Sequence, residues 1–222
     1  MTTPATIDGP RVAPASGGAP RSMVIFLHGY GSNGADLIGL APYWRGVLPD
    51  TVFLSPNAPE ACPGAPGGYQ WWGLSSFDAQ ARAAGARRAA PVLDAFIEAE
   101  LARYGLSDDR LALVGFSQGT MMALQVGLRR RRPPAGIVGY SGMLSEAPPE
   151  DGAKPPILLI HGDADPMIPI AAFHSARAAL ARGGYEVESR VSPGLGHSID
   201  QAGLDLGGRF LARVLRVGAD AS

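Results

Sequence analysis

The stretch Leu111-Ala112-Leu113-Val114-Gly115-Phe116-Ser117-Gln118-Gly119 carries the clearest signal of the architecture. Its first six residues are apolar without alternation, the pattern of a strand covered on both faces, and a helix-forming stretch at 118–130 follows at once. Working outward, the same alternation recurs. Strands are predicted at 23–28, 51–55, 110–116, 136–140, 157–161 and 185–191, and helices at 34–45, 79–104, 118–130, 170–182 and 199–217. The runs Val24-Ile25-Phe26-Leu27 and Ile157-Leu158-Leu159-Ile160 also lack polar alternation. Regular strand–helix succession with doubly covered strands predicts an α/β protein, with a mainly parallel central sheet and helices on both faces.

The chain has 222 residues, 46% apolar and 18% charged, which is the size and balance of one domain with a sizeable core. That domain is expected over 22–218. Residues 1–21, rich in Pro, Gly, Ala and Ser, are predicted to form a flexible tail with at most a short edge strand across 11–14. No stretch is long enough for a large cap domain. Two loops are long, 142–155 and 56–76, and the second carries Tyr69, Trp71 and Trp72.

Nineteen basic against twenty acidic residues leave a formal charge of −1, so no nucleic-acid partner and no stable membrane association are expected. The run Arg129 to Arg132 fits the C-terminal end of a helix, where cations favour the dipole. Cys62 is the single cysteine, which excludes an internal disulfide and thiolate metal cages. The first nine residues have no basic or apolar signal region, so a cytoplasmic location is the default. Without a phosphate-cradling loop, dinucleotide fingerprint or metal-ligand spacing, no metal and no cofactor are expected.

A sharp strand–turn–helix with glycines two residues to either side presents Ser117 above the sheet, at the N-terminus of a helix. A serine hydroxyl needs a base within reach, itself oriented by a carboxylate. His161-Gly162-Asp163-Ala164-Asp165-Pro166 and Gly194-Leu195-Gly196-His197 leave the ends of later strands, which puts Ser117, Asp165 and His197 on one rim. Asp163 competes with Asp165 for the orienting role; Asp165 is favoured, because Asp163 lies close to the strand end and suits a turn. His28 and His161 end strands and His174 lies within a helix, so each is read as structural, His28 as tying down the loop that follows it. Negative charge developing on a carbonyl oxygen needs preorganised donors. The Gln118 amide supplies one, and Tyr30, flanked by Gly29 and Gly31, supplies the other. Of the adjacent Trp71 and Trp72, one is expected to pack on the core and the other to face substrate. Phe116 and Met167 flank the triad as further apolar wall or as core.

Leu27-His28-Gly29-Tyr30-Gly31, Gly115-Phe116-Ser117-Gln118-Gly119, His161 through Pro169, and Gly196-His197 resemble the phospholipase/carboxylesterase family of α/β-hydrolases, which includes acyl-protein thioesterases and bacterial carboxylesterases. The resemblance runs from about Ser22 to Val217. It implies Ser117, Asp165 and His197 as catalytic triad, with Tyr30 and Gln118 as oxyanion donors. The segment Gln70-Trp71-Trp72-Gly73 looks more like the bacterial esterases. The expected activity is cleavage of small carboxylic esters with short to medium acyl chains through an acyl-enzyme. The rivals are a lysophospholipase or acyl-protein thioesterase acting on long chains, and a non-catalytic receptor on the same scaffold. The resemblance is compatible with a homodimer.

Overall fold

In the computed structural model, which describes residues 6–74, 78–152 and 154–215, the apolar stretch that precedes Ser117 forms β6 (Leu111–Phe116) at the middle of a seven-stranded sheet. The other strands are β1 (Arg11–Val12), β2 (Ser22–Leu27), β3 (Thr51–Leu54), β7 (Gly136–Tyr140), β8 (Ile157–Gly162) and β9 (Val187–Ser192). Their order is β1-β3-β2-β6-β7-β8-β9, and every pair is parallel except β1 with β3. A small hairpin, β4 (Glu60–Ala61) with β5 (Tyr69–Gln70), lies within the first long loop. The helices are α1 (Gly34–Leu37), α2 (Ala41–Trp44), α3 (Ala79–Tyr104), α4 (Gln118–Gly127), α5 (Ile170–Arg182) and α6 (Gln201–Val214).

Side chains alternate across each strand, so the unbroken apolar runs feed two cores. Met23, Ile25, Leu27, Leu111 and Leu113 face one side, with Leu93 and Ile97 of α3, Met122 of α4 and Phe173 of α5. Val24, Phe26, Ala112 and Val114 face the other, with Trp44 of α2 and Phe210 and Leu211 of α6. All nine of these strand side chains are fully buried, which holds the rim of the sheet rigid.

Several elements depart from expectation for identifiable reasons. The helix expected at 34–45 is broken into α1, a tight turn at Ile38–Leu40, and α2. Pro42 has no N–H to continue the ladder and sits in the first turn of α2, where none is needed. Tyr185 lies in the turn that closes α5, not in β9: Gly184, at φ 78°, donates to the Ala181 carbonyl, and the Tyr185 amide donates to the Leu180 carbonyl. At the start of α6, Asp200 accepts the Gly203 amide at 2.7 Å, so that helix begins at Gln201. The expected end of the last helix at 217 lies outside the described residues.

Of the N-terminal segment expected over 1–21, residues 6–21 are described, and the short edge strand expected across 11–14 lies at Arg11–Val12. Ile7 is buried, and Asn57 and Ser55 donate backbone hydrogen bonds to Asp8 and Pro10. β1 covers the edge of β3, and Arg11 pairs with Glu100 of α3 at 2.7 Å. Satisfying an otherwise open sheet edge is what holds this Pro- and Gly-rich segment down. Among the described residues no helix is long and apolar enough to cross a membrane.

Candidate active site

β6 delivers Ser117 to the N-cap of α4 with φ 55° and ψ −116°, a conformation sparsely populated for a non-glycine residue. Glycine makes this turn possible. A Cβ at Gly119 would lie 1.8 Å from the Leu27 carbonyl oxygen, and one at Gly115 would lie 2.4 Å from the Gly119 and Thr120 backbone. The Ser117 amide donates to Tyr140 at 2.9 Å, and the Thr120 hydroxyl lies 2.8 Å from the carbonyls of both Gly115 and Tyr140. The elbow is thereby pinned to β7 on its flank.

Beyond β8, Asp165 is buried, and its two oxygens are fully engaged. Oδ1 accepts the amides of Met167 and Ile168 at 2.8 and 2.9 Å, and Oδ2 lies 2.7 Å from His197 Nδ1. Burial alone would push this carboxyl up, but the hydrogen bonds from His197, Ile168 and Met167 outweigh it and hold Asp165 below the usual carboxylate range. Because the carboxylate is ionised, Nδ1 carries the ring proton, and Nε2 is left as the basic nitrogen. His161 Nε2 donates to the Ile168 carbonyl at 2.8 Å and lies 3.4 Å from Asp165 Oδ2, bracing the same loop. Asp163 instead accepts the Gly194 amide at 2.6 Å, a loop-to-loop tie.

The His197 ring packs against Phe116, the residue before the serine, with ring centroids 4.9 Å apart. Among the described residues the Ser117 hydroxyl has no hydrogen-bond partner.

The loop after β2 closes over the elbow. A Cβ at Gly29 would meet the Ser117 Cβ at 3.2 Å, so the Gly29–Tyr30 peptide lies directly beside the nucleophile. Tyr30 and Met167 are both exposed, at 40% and 68%, and offer apolar surface at this rim. The expectation that one of the two tryptophans faces substrate is corrected: Trp71 and Trp72 are 1% and 2% exposed. Trp72 fills the space that the missing side chain of Gly85 leaves on α3, and the Trp71 indole donates to the His28 carbonyl at 3.0 Å. Adjacent residues can both be buried here because the loop is covered on two sides.

Sequence reasoning missed the part that the Gln118 side chain plays behind the rim. His28 and the Gln118 side chain are buried and bonded to this loop, and their partners are distant in sequence. His28, expected from its strand-end position to tie down the following loop, does so through the Gly29 carbonyl at 2.7 Å. Among the described residues no cluster of three or more His, Cys, Asp or Glu side chains is placed to hold a metal ion.

A family model described as Phospholipase/Carboxylesterase matches residues 9–215. The chain is 32% identical over 221 residues to acyl-protein thioesterase 1 of Neurospora crassa, covering 90% of each chain. It is 28% identical to the esterase YpfH of Escherichia coli, over 81% of this chain and 77% of that one. Among solved structures, that of esterase PE8 superposes with a TM-score of 0.90 at 44% identity, covering 95% of this chain and 100% of the other.

Proposed function

From the premise that this chain belongs to the phospholipase/carboxylesterase family and is accordingly an esterase, we propose that it cleaves carboxylic esters of short to medium acyl chain through an acyl-enzyme on Ser117. The observation that carries this reading is the Asp165–His197 pair, 2.7 Å apart, on the same rim as a serine held in a strained elbow.

In the reaction, Ser117 Oγ attacks the carbonyl carbon while His197 Nε2 takes the hydroxyl proton. The carbonyl oxygen becomes an oxyanion facing the amides of Tyr30 and Gln118. Collapse of the tetrahedral intermediate breaks the bond to the alcohol, which leaves with the proton from His197. Water then attacks the acyl-enzyme, giving its proton to His197, and the acid departs as the proton returns to Ser117. Asp165 stays ionised throughout and stabilises the imidazolium.

Tyr30 and Met167 offer apolar surface to the acyl or alcohol group, and Phe116 backs the imidazole. A second reading, hydrolysis of long-chain acyl thioesters, draws on the likeness to the Neurospora crassa relative. Rates on p-nitrophenyl esters of increasing chain length, alongside acyl thioesters, decide between them: a maximum at short to medium esters is expected, and a maximum at long thioesters favours the second. Ser117→Ala should abolish turnover and labelling by a fluorophosphonate with the fold intact. Full activity in that variant refutes the proposal.

A further inference from the structure

We propose that His28 and Trp71 are positioning residues that aim the Tyr30 amide at the oxyanion, acting through the Gly29–Tyr30 peptide. This rests on the Ser117 acyl-enzyme reading and adds to it a buried bracket that joins the two donor residues.

The hydrogen-bond directions are fixed without choice. A backbone amide only donates, so His28 Nε2, 2.9 Å from the Ala58 nitrogen, is an acceptor, and the ring proton sits on Nδ1. Nδ1 therefore donates to the Gly29 carbonyl at 2.7 Å. That carbonyl and the Tyr30 N–H belong to one planar trans peptide, so they point in opposite directions. Holding the oxygen against the buried imidazole turns the N–H the other way, and the position of a Cβ on Gly29, 3.2 Å from the Ser117 Cβ, sets this peptide beside the nucleophile. The Ser32 amide, 3.3 Å from the same oxygen, adds a second hold. Burial also pushes the His28 imidazole down from its ordinary value, against the opposing effects of the Gly29 carbonyl and Asp36, and so preserves the neutral ring this arrangement needs.

His28 is held in turn. Its carbonyl accepts the Trp71 indole N–H at 3.0 Å, with the two rings 5.9 Å apart. The Trp71 amide donates to Gln118 Oε1 at 2.9 Å, and Gln118 Nε2 donates to the Trp72 carbonyl at 2.9 Å. Gln118 is also the residue whose own amide is the second donor. The side chain of one donor residue and the peptide of the other are thus joined through Trp71 and His28. A shift in any member moves the two donors relative to each other.

The test is Trp71→Phe, which keeps an aromatic ring but removes the indole N–H together with part of the buried bulk, with His28→Asn as a second variant at the other end of the bracket. Whole-donor losses at oxyanion sites cost about 10²–10³ in kcat, so misaiming one donor should lower kcat on p-nitrophenyl acetate by roughly tenfold, with KM little changed. Affinity for an alkyl trifluoromethyl ketone, whose adduct with Ser117 bears an oxyanion, should fall by the same factor. A variant with a lower melting temperature but wild-type kcat and ketone affinity has lost only packing, and that result overturns the proposal. If Trp71→Phe fails to fold, the same readouts on His28→Asn decide. Ser117→Ala separates the two levels: retained turnover there sinks the acyl-enzyme reading itself, whereas an inactive Ser117→Ala beside a fully active Trp71→Phe sinks only the bracket.

Discussion

Asp163 and Asp165 stand two residues apart on one loop and serve different partners: Asp163 takes the Gly194 amide at 2.6 Å, and Asp165 takes His197 Nδ1 at 2.7 Å. The division follows from burial, since Asp165 is enclosed and Asp163 is exposed. Asp165→Asn leaves the shape but presents an amide where a proton acceptor is needed. It should lower kcat by about 10³–10⁴ with little change in KM. Asp163→Asn keeps an oxygen for Gly194 and should retain nearly full turnover. Steady-state kinetics on one ester distinguishes them, and equal losses would show that the loop, not the carboxylate, matters.

Gly119 is where α4 passes closest to β2. A Cβ there would meet the Leu27 carbonyl oxygen at 1.8 Å, and backbone cannot give way as a side chain can. Gly119→Ala should therefore cost more than about 3 kcal/mol or prevent folding. Gly39, with nothing within 4 Å of its Cβ position, is the control. Gly39→Ala should be neutral or stabilising by about 0.5 kcal/mol. Thermal melts of the pair measure the contrast.

Arg130, with its side chain 4% exposed, gathers three carboxylates behind α3 and α4. It reaches Glu98 at 2.6 Å and Asp108 at 2.5 and 2.8 Å, and it also pairs with Asp94. Asp94 and Glu98 are half or more exposed and would rehydrate readily, but the Asp108 side chain is only 12% exposed. Arg130→Met leaves that carboxylate buried and unpaired, at a cost of about 3 kcal/mol, or roughly 10 °C in melting temperature. No residue of the candidate site touches this cluster, so kcat/KM at 25 °C should be unchanged.

The features written locally in the chain were legible. Val24 through Leu27 is apolar at every position because both faces of β2 are covered, and the turn at Ser117 is marked by the two glycines that its backbone requires. The rim position of Asp165 and His197 follows from chain order in a parallel sheet. Trp71 and Trp72 were misread because their covering comes from Gly85, His28 and Gln118, none of which is nearby in sequence. In the N-terminal segment the edge strand was legible, but its other ties were not: Pro and Gly content speaks of weak local preference, whereas Ser55 and Asn57 supply partners from a distant loop. The break at Pro42 was a local signal given too little weight against the apolar pattern around it.

His28 also makes the fold sensitive to acid. Its folded-state pKa lies below the ordinary 6.5, because burial outweighs the favourable hydrogen bond to Gly29 and the charge of Asp36. Between the folded and unfolded values the unfolded chain binds more protons, so stability from this residue is complete above about pH 6.5 and declines as the pH falls toward the folded value. Protonation would put a proton on Nε2, where the Ala58 amide already donates, and break the clasp on the oxyanion loop. His28→Gln cannot charge. Its melting temperature should start lower than that of the parent at about pH 7.5 but fall less on going to about pH 5, so the gap between the two proteins narrows. The other three histidines are common to both and cancel in the difference. A gap that stays constant with pH would mean that His28 does not take up a proton on unfolding in this range.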